Sequence, residues 1–287
     1  MTNKQSQIID GKAISKKMLE EIATKVKKQE NRPGLAAIIV GDDPASHLYV
    51  KNKEKACQKI GINFSGYYLA SKKCLPDATE KDVLETIDFL NKDDNIHGVI
   101  VQLPLPKING GFDTAKIIKA VDPKKDVDGF TPKNLKAFQD GEPLVTSPLI
   151  QAIQTLIDSQ NIKLKNQKVV AVTRSEIFSG TLKKHLLDQG AKLTVVSPEA
   201  KDLAKKTKQA DILISVAGRP NLIKSDMVKP GVVVIDAGTT LVDGKLVGDV
   251  EYDQVKKIAG AITPVPGGVG PLTVAWLLKN TVALFSS

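Results

Sequence analysis

Lys168-Val169-Val170-Ala171-Val172-Thr173 is a six-residue run of β-branched and small apolar residues that reads as a strand. A helical pattern follows over residues 180–189, and further strand-like runs occupy 192–196, 211–216 and 232–236. Short aliphatic runs alternating with helical stretches are the pattern of a parallel α/β sheet. The first half repeats it, with strands expected at 35–41, 63–69 and 98–103 and helices at 13–29, 45–60, 79–91 and 114–120. Val242-Asp243-Gly244-Lys245 reads as a hairpin, because Asp-Gly supplies the positive φ such turns require. Between the halves, Asp140-Gly141-Glu142-Pro143 marks a turn, and Thr146-Ser147-Pro148 opens a helix over 149–160. A last helix is expected over 271–285, with Pro271 in its first turn.

The length, 287 residues, suits two modest α/β domains, and 41% hydrophobic with 25% charged residues excludes disordered and fibrous classes. No apolar run is long enough to span a bilayer, and residues 1–10 are polar, without the apolar core of a secretory signal. Cys57 and Cys74 form neither a disulfide framework nor a metal-ligand spacing, so no metal site and a cytoplasmic location are expected. The net charge of +9 raises a nucleic-acid reading, but only three of the 41 basic residues are arginine and aromatics are 4%. Without clustered Arg and stacking rings, solvated helix faces and small anionic ligands account better for the charge.

Four segments carry chemistry. In Ser46-His47-Leu48-Tyr49-Val50-Lys51-Asn52-Lys53, Tyr49 and Lys53 share one helix face with Ser46 a turn earlier, just after a strand end where open α/β sheets bind ligands. Taken alone, it reads as an amphipathic helix with a surface Tyr and Lys. In the run 98–106, Gln102 interrupts apolar residues at a strand end, where a buried amide needs partners, whether backbone or ligand. Lys125-Asp126-Val127-Asp128-Gly129-Phe130 alone is a common tight turn. Thr263-Pro264-Val265-Pro266-Gly267-Gly268-Val269-Gly270-Pro271, six of whose nine residues are Gly or Pro, lets backbone approach a ligand closely.

Together and in this order, YVKNK, VQLPLP, KDVDGF and TPVPGGVGP resemble the bifunctional methylenetetrahydrofolate dehydrogenase/methenyltetrahydrofolate cyclohydrolase family. The resemblance runs from about Ile9 to the C-terminus and includes VKPGVVVIDAG and VGDV. It implies two α/β domains: a folate-binding catalytic domain of residues 1–145 plus 271–287, and a Rossmann-like NAD(P) domain of residues 146–270, with a cleft between them. It implies NADP as cofactor, tetrahydrofolate derivatives (polyglutamylated forms included) as substrates, a homodimer, and no nucleic-acid or membrane partner. Lys53 is then the catalytic lysine, Gln102 its hydrogen-bonding partner, Tyr49 the ring against the folate and Asp128 the pterin anchor. Ser46, Pro266, Gly267 and Gly268 complete the substrate set; Arg174, Ser175, Ser197, Gly270 and Thr273 form the cofactor set.

The dinucleotide turn departs from the family's pattern, roughly G-R-S-x-x-V-G-x-P. Arg174 and Ser175 are kept, but Thr173 and Ser179 stand where glycines belong, Gly180 comes one place late, and Thr181 replaces the proline. Side chains there would crowd a pyrophosphate, and Glu176 adds negative charge nearby. Two alternative readings therefore stand: a cyclohydrolase with weak or NAD-dependent dehydrogenase activity, and a non-catalytic folate-binding relative.

Overall fold

A computed structural model describes residues 6–72, 74–108 and 111–286. Along the chain run β1 (Gln7–Ile8), α1 (Gly11–Val26), β2 (Gly34–Val40), α2 (Pro44–Ile60), β3 (Asn63–Leu69), α3 (Glu80–Lys92), β4 (Gly98–Val101), α4 (Thr114–Ala120), α5 (Pro132–Asp140) and α6 (Pro148–Asp158). There follow β5 (Lys168–Thr173), α7 (Glu176–Asp188), β6 (Lys192–Val196), α8 (Leu203–Thr207), β7 (Ile212–Val216), β8 (Val233–Asp236), β9 (Thr240–Val242), β10 (Lys245–Val247), α9 (Tyr252–Val255), β11 (Ala261–Ile262) and α10 (Val269–Phe285). The chain divides into two compact units, one of residues 1–15 and 149–273, the other of residues 16–148 and 274–287.

The second of these is built on a three-stranded parallel sheet ordered β3-β2-β4. All seven residues of β2 are buried, as a strand covered on both faces requires. Its period of two sorts them cleanly. Leu35, Ala37 and Ile39 join Ile22 and Val26 of α1, Val50, Cys57 and Ile60 of α2, and Leu277 and Leu278 of α10 in one core. Ala36, Ile38 and Val40 join Val83, Ile87 and Leu90 of α3 and Ile117 of α4 in another. Each fully buried Leu or Ile contributes about 1.5–3 kcal/mol, so these two layers fix where β2 and β4 end.

The other unit holds a six-stranded sheet ordered β1-β11-β8-β7-β5-β6, parallel throughout, with the β9–β10 hairpin beside it in sequence. From β5 the chain goes to β6 on one side and then crosses to β7 on the other, so the strand order reverses beside β5, where such sheets bind ligands. The hairpin turns through Asp243 and Gly244, both at positive φ. The family resemblance implies one domain of residues 1–145 plus 271–287 and another of residues 146–270. The contacts instead place residues up to Ser15 with the six-stranded sheet, because Gln7 and Ile8 pair in parallel with Ala261 and Ile262.

Some boundaries differ from expectation for local reasons. Helix α7 starts four residues before 180, because Ser175 caps it by accepting from the Phe178 amide at 3.2 Å. Helix α10 starts at Val269 rather than Pro271. Helix α5, not anticipated, carries an ordinary start signal: Thr131 accepts from the Asn134 amide and Pro132 sits in the first turn.

Candidate functional site

Helix α2 begins just past the carboxyl end of β2. Asp43 caps it, accepting from both the amide and the hydroxyl of Ser46 at 2.8 Å, and Gly61 at φ 88° ends it. Its buried positions are Ser46, Val50, Lys53, Cys57 and Ile60, the 3–4 spacing of a core-facing stripe. Lys53 thus stands where a hydrophobic residue belongs, only 9% exposed. Its ammonium donates to Gln102 Oε1 at 2.7 Å, and the Gln102 amide group donates to the Leu103 carbonyl at 2.9 Å, which fixes which end faces the lysine. Gln102 is held by its own backbone N–H on the Ile38 carbonyl, one residue beyond β4.

The desolvation of an ammonium costs several kcal/mol, more than one hydrogen bond from it returns, about 1.5–3 kcal/mol. Burial therefore holds the Lys53 pKa below its ordinary value, against the opposing pull of Asp128 and Cys57. Burial pushes the Cys57 thiol up to about 12, so it stays neutral, one turn beyond the lysine. Asp128 is pushed up to about 7, first by burial and then by Asp126, with Lys53 pulling it down. The structure thus brings Lys53, Gln102 and Asp128 together, with Tyr49 one turn before Lys53 on α2. Ser46 lies in the first turn, its hydroxyl engaged by Asp43.

Asp126, which the sequence reading passed over, builds the loop that carries Asp128. Buried at 4% exposure, it accepts from Gly129 N at 2.9 Å, Thr131 N at 2.7 Å and Asn134 Nδ2 at 3.0 Å. Gly129, at φ 70°, turns the chain where a side chain would be strained. Asn280 of α10 donates to the carbonyls of Val127 and Thr146 at 2.8 and 2.9 Å and pins the loop from the other side. The Asp128 carboxylate takes no hydrogen bond among the described residues. The signal for Asp126 was present: an Asp three residues before a turn Gly is the pattern of a side chain bonding its own loop.

On the six-stranded sheet, Arg174 and Ser175 follow β5 at the point of strand reversal. The Thr173 hydroxyl accepts from the Ser175 amide at 3.1 Å, Ser179 Oγ donates to the Glu176 carbonyl at 3.0 Å, and Thr181 Oγ1 donates to the Ile177 carbonyl at 2.9 Å. The side chains expected to crowd a pyrophosphate are turned onto backbone instead. The Glu176 and Ile177 amides, in the exposed first turn of α7, meet no acceptor among the described residues, so the turn fits a dinucleotide phosphate. The Arg174 guanidinium and Ser197 both bind Glu199: Arg174 Nε at 2.9 Å, Arg174 Nη2 as a close ion pair, Ser197 Oγ at 2.6 Å.

The Gly/Pro-rich segment lies between β11 and α10. Gly268 is packed against Thr263 and the Pro264 carbonyl, and a Cβ on Gly11 would strike the Gly268 carbonyl oxygen at 1.9 Å. Lys12 N donates to Gly267 O at 2.9 Å. Close backbone packing thus accounts for Gly268, while Gly270 faces open space. Thr273 Oγ1 donates to the Val269 carbonyl at 3.2 Å, and Pro266 follows a cis peptide bond.

Residues 9–128 match the catalytic domain, and residues 148–287 the NAD(P)-binding domain, of tetrahydrofolate dehydrogenase/cyclohydrolase. The bifunctional protein FolD of Nautilia profundicola is 46% identical over 279 residues, covering 96% of this chain and 95% of that protein. Among solved structures, the bifunctional FolD methylenetetrahydrofolate dehydrogenase/cyclohydrolase of Campylobacter jejuni is 39% identical with a TM-score of 0.88, covering 98% of this chain and 99% of that one. The Trypanosoma brucei FolD enzyme, solved with NADP cofactor and an inhibitor, is 32% identical with a TM-score of 0.90, covering 98% of each chain. The chain belongs to the tetrahydrofolate dehydrogenase/cyclohydrolase family.

Proposed function

We infer that the chain is a bifunctional enzyme that oxidises 5,10-methylenetetrahydrofolate to the 5,10-methenyl cation with NADP and hydrolyses that cation to 10-formyltetrahydrofolate. The observation that carries this reading is Lys53: a lysine on the buried stripe of α2, 2.7 Å from Gln102 and under the field of Asp128. A site for binding alone gains nothing from a desolvated amine; proton transfer does, because a general base works best with a pKa near the operating pH.

NADP, when bound, accepts the hydride from the methylene carbon. The chain's own groups do the rest. Burial lowers the Lys53 pKa and the cationic folate lowers it further, so the neutral amine becomes available. It takes a proton from water as the oxygen bonds to the methenyl carbon, and returns that proton to the departing ring nitrogen as the carbon–nitrogen bond breaks and the hydroxyl proton of the adduct leaves to solvent, giving the formyl carbonyl. Gln102 keeps the amine in place through both transfers. Ionised Asp128 accepts pterin N–H groups, and Tyr49 supplies an apolar ring surface. Ser46 acts by shaping the start of α2; Pro266, Gly267 and Gly268 are the remaining substrate residues that the family resemblance implies. Arg174, Ser175 and Ser197 would hold the cofactor's phosphates, and Gly270 and Thr273 would complete its site.

By the same reasoning the chain acts as a homodimer in the cytoplasm on tetrahydrofolate derivatives, polyglutamylated forms included. The two cysteines are free, which suits a reducing compartment. Among the described residues no helix is long and apolar enough to cross a membrane.

The test is reduced-nucleotide formation from methylenetetrahydrofolate with NADP and NAD in parallel, together with decay of the methenyl absorbance. Turnover in both assays is expected. Nucleotide reduction absent with either cofactor would reduce the chain to a cyclohydrolase, and loss of both activities to a folate binder.

A further inference from the structure

Three adjacent strands of the six-stranded sheet, β6, β5 and β7, each deliver a group from the loop past the carboxyl end to one point. Glu199, three residues beyond β6, lies there. Its Oε1 accepts from Arg174 Nε at 2.9 Å, from Arg174 Nη2, and from Arg219 Nη1 at 3.5 Å; its Oε2 accepts from Ser197 Oγ at 2.6 Å. Arg174 also reaches the Ala217 carbonyl and Arg219 the Pro198 carbonyl, both at 3.5 Å. The Arg219 backbone is anchored by its amide on buried Asp249 at 2.8 Å. The Arg174 and Ser197 hydrogen bonds hold the Glu199 carboxyl down at about 2, so it is an anion at any physiological pH.

Two opposite devices for reading the adenine ribose are known in dinucleotide folds: an acidic residue some 20 positions after the phosphate turn accepts the 2′-hydroxyl of NAD, and an Arg receives the 2′-phosphate of NADP. This chain has both, 25 positions apart, and they are bonded to each other. Arg174 and Glu199 are each about half exposed, so their ion pair is solvated and weak, and an incoming anion can displace it. A 2′-phosphate must take Arg174 and Ser197 away from Glu199 and then sit beside an uncompensated carboxylate. A 2′-hydroxyl needs no displacement and donates to Glu199 directly.

We propose that Glu199 is the specificity-determining residue of the cofactor site, a resident anion that competes with the 2′-phosphate and accepts the ribose hydroxyl of NAD, so that the chain binds both dinucleotides. This rests on the reading of Arg174 and Ser197 as cofactor contacts.

Calorimetric titration of the purified protein with NADP and with NAD at low salt tests it, beside the Glu199→Gln and Arg174→Gln variants. Both side chains are solvent-accessible, and thermal melts check that the variants stay folded. Glu199→Gln is expected to raise the NADP-over-NAD affinity ratio by about tenfold or more, since the repulsion of the 2′-phosphate is lost and the ribose hydroxyl keeps only a neutral acceptor. Arg174→Gln is expected to weaken NADP about tenfold more than it weakens NAD. A ratio unchanged within about twofold in Glu199→Gln, with both dinucleotides still bound, overturns the proposal alone. Binding of neither dinucleotide to the parent protein overturns the cofactor reading and this proposal with it.

Discussion

The lysine after β2 and the arginine after β5 both follow the carboxyl end of a parallel strand, Lys53 on α2 and Arg174 in the turn before α7, yet their surroundings are opposite. Lys53 is 9% exposed on a core stripe, and its charge is opposed by burial. Arg174 is solvated and bound to Glu199, which pushes its pKa up rather than down. In the proposed function, one site poises a proton and the other a permanent charge. Burial costs an ionisable group its charge, so it is used where the proton must move; exposure preserves charge, so it is used where an anion must be held.

The largest expected effect breaks the buried side of this contrast. Lys53→Met should lower methenyltetrahydrofolate hydrolysis by about 10³-fold, within the range for removal of a general base. A lysine whose folded pKa is depressed binds fewer protons folded than unfolded and costs stability below its unfolded pKa. The variant should therefore melt at the same or a higher temperature at neutral pH, as exchange of a buried charge for an apolar chain often does. Hydrolysis within about tenfold of the parent would remove Lys53 from the chemistry.

Asp126 and Asp128 sharpen the comparison, two carboxylates two residues apart with different tasks. Asp126→Ala leaves the buried Gly129 and Thr131 amides unpaired and Asn134 Nδ2 with the Pro123 carbonyl alone, and should cost about 3 kcal/mol in chemical denaturation. A loss under about 1 kcal/mol would mean that Asn280 alone secures the loop. Asp128 makes no such bonds and should behave otherwise. Its pKa is raised to about 7, so it ionises as pH rises through neutrality, and kcat/KM for the folate should rise across that interval. Asp128→Asn should flatten this limb and raise the folate KM about tenfold, with little change in stability. A pH profile that keeps its rise in the Asn variant would assign the limb to another group.

What the sequence displays of all this follows from how local each signal is. The strands β2, β5 and β8 are read directly, because strands covered on both faces must be apolar runs. Strand β1 could not be: Gln7 and Ile8 are two exposed residues whose partner lies some 250 positions away. Lys53 is visible as a break in the stripe Ser46, Val50, Cys57, Ile60, but only once the register of α2 is known. Gln102 shows only as a polar break in an apolar run and Asp128 carries no individual signal, and their meeting with Lys53 depends on the β2–β4 pairing and on the loop that Asp126 folds. Glu199 lay hidden because its significance is its bond to Arg174, a contact between the ends of neighbouring strands.

The smallest expected effect concerns the turn where the family's glycine is replaced. A side chain harms a phosphate site only if it occupies the ligand's space, and the Ser179 hydroxyl is bonded to the Glu176 carbonyl within its own helix. Ser179→Gly should thus leave NADP affinity within about twofold, since no ligand contact is gained or relieved. It should lower stability by about 0.5 kcal/mol, the helix-propensity cost of glycine relative to serine. Titration of the variant with NADP checks the first value and denaturant melts the second. If the glycine tightened NADP tenfold, Ser179 would be crowding the phosphate after all. The contrast between the two sites would then be one of an intact pocket against a damaged one, rather than of buried against exposed charge.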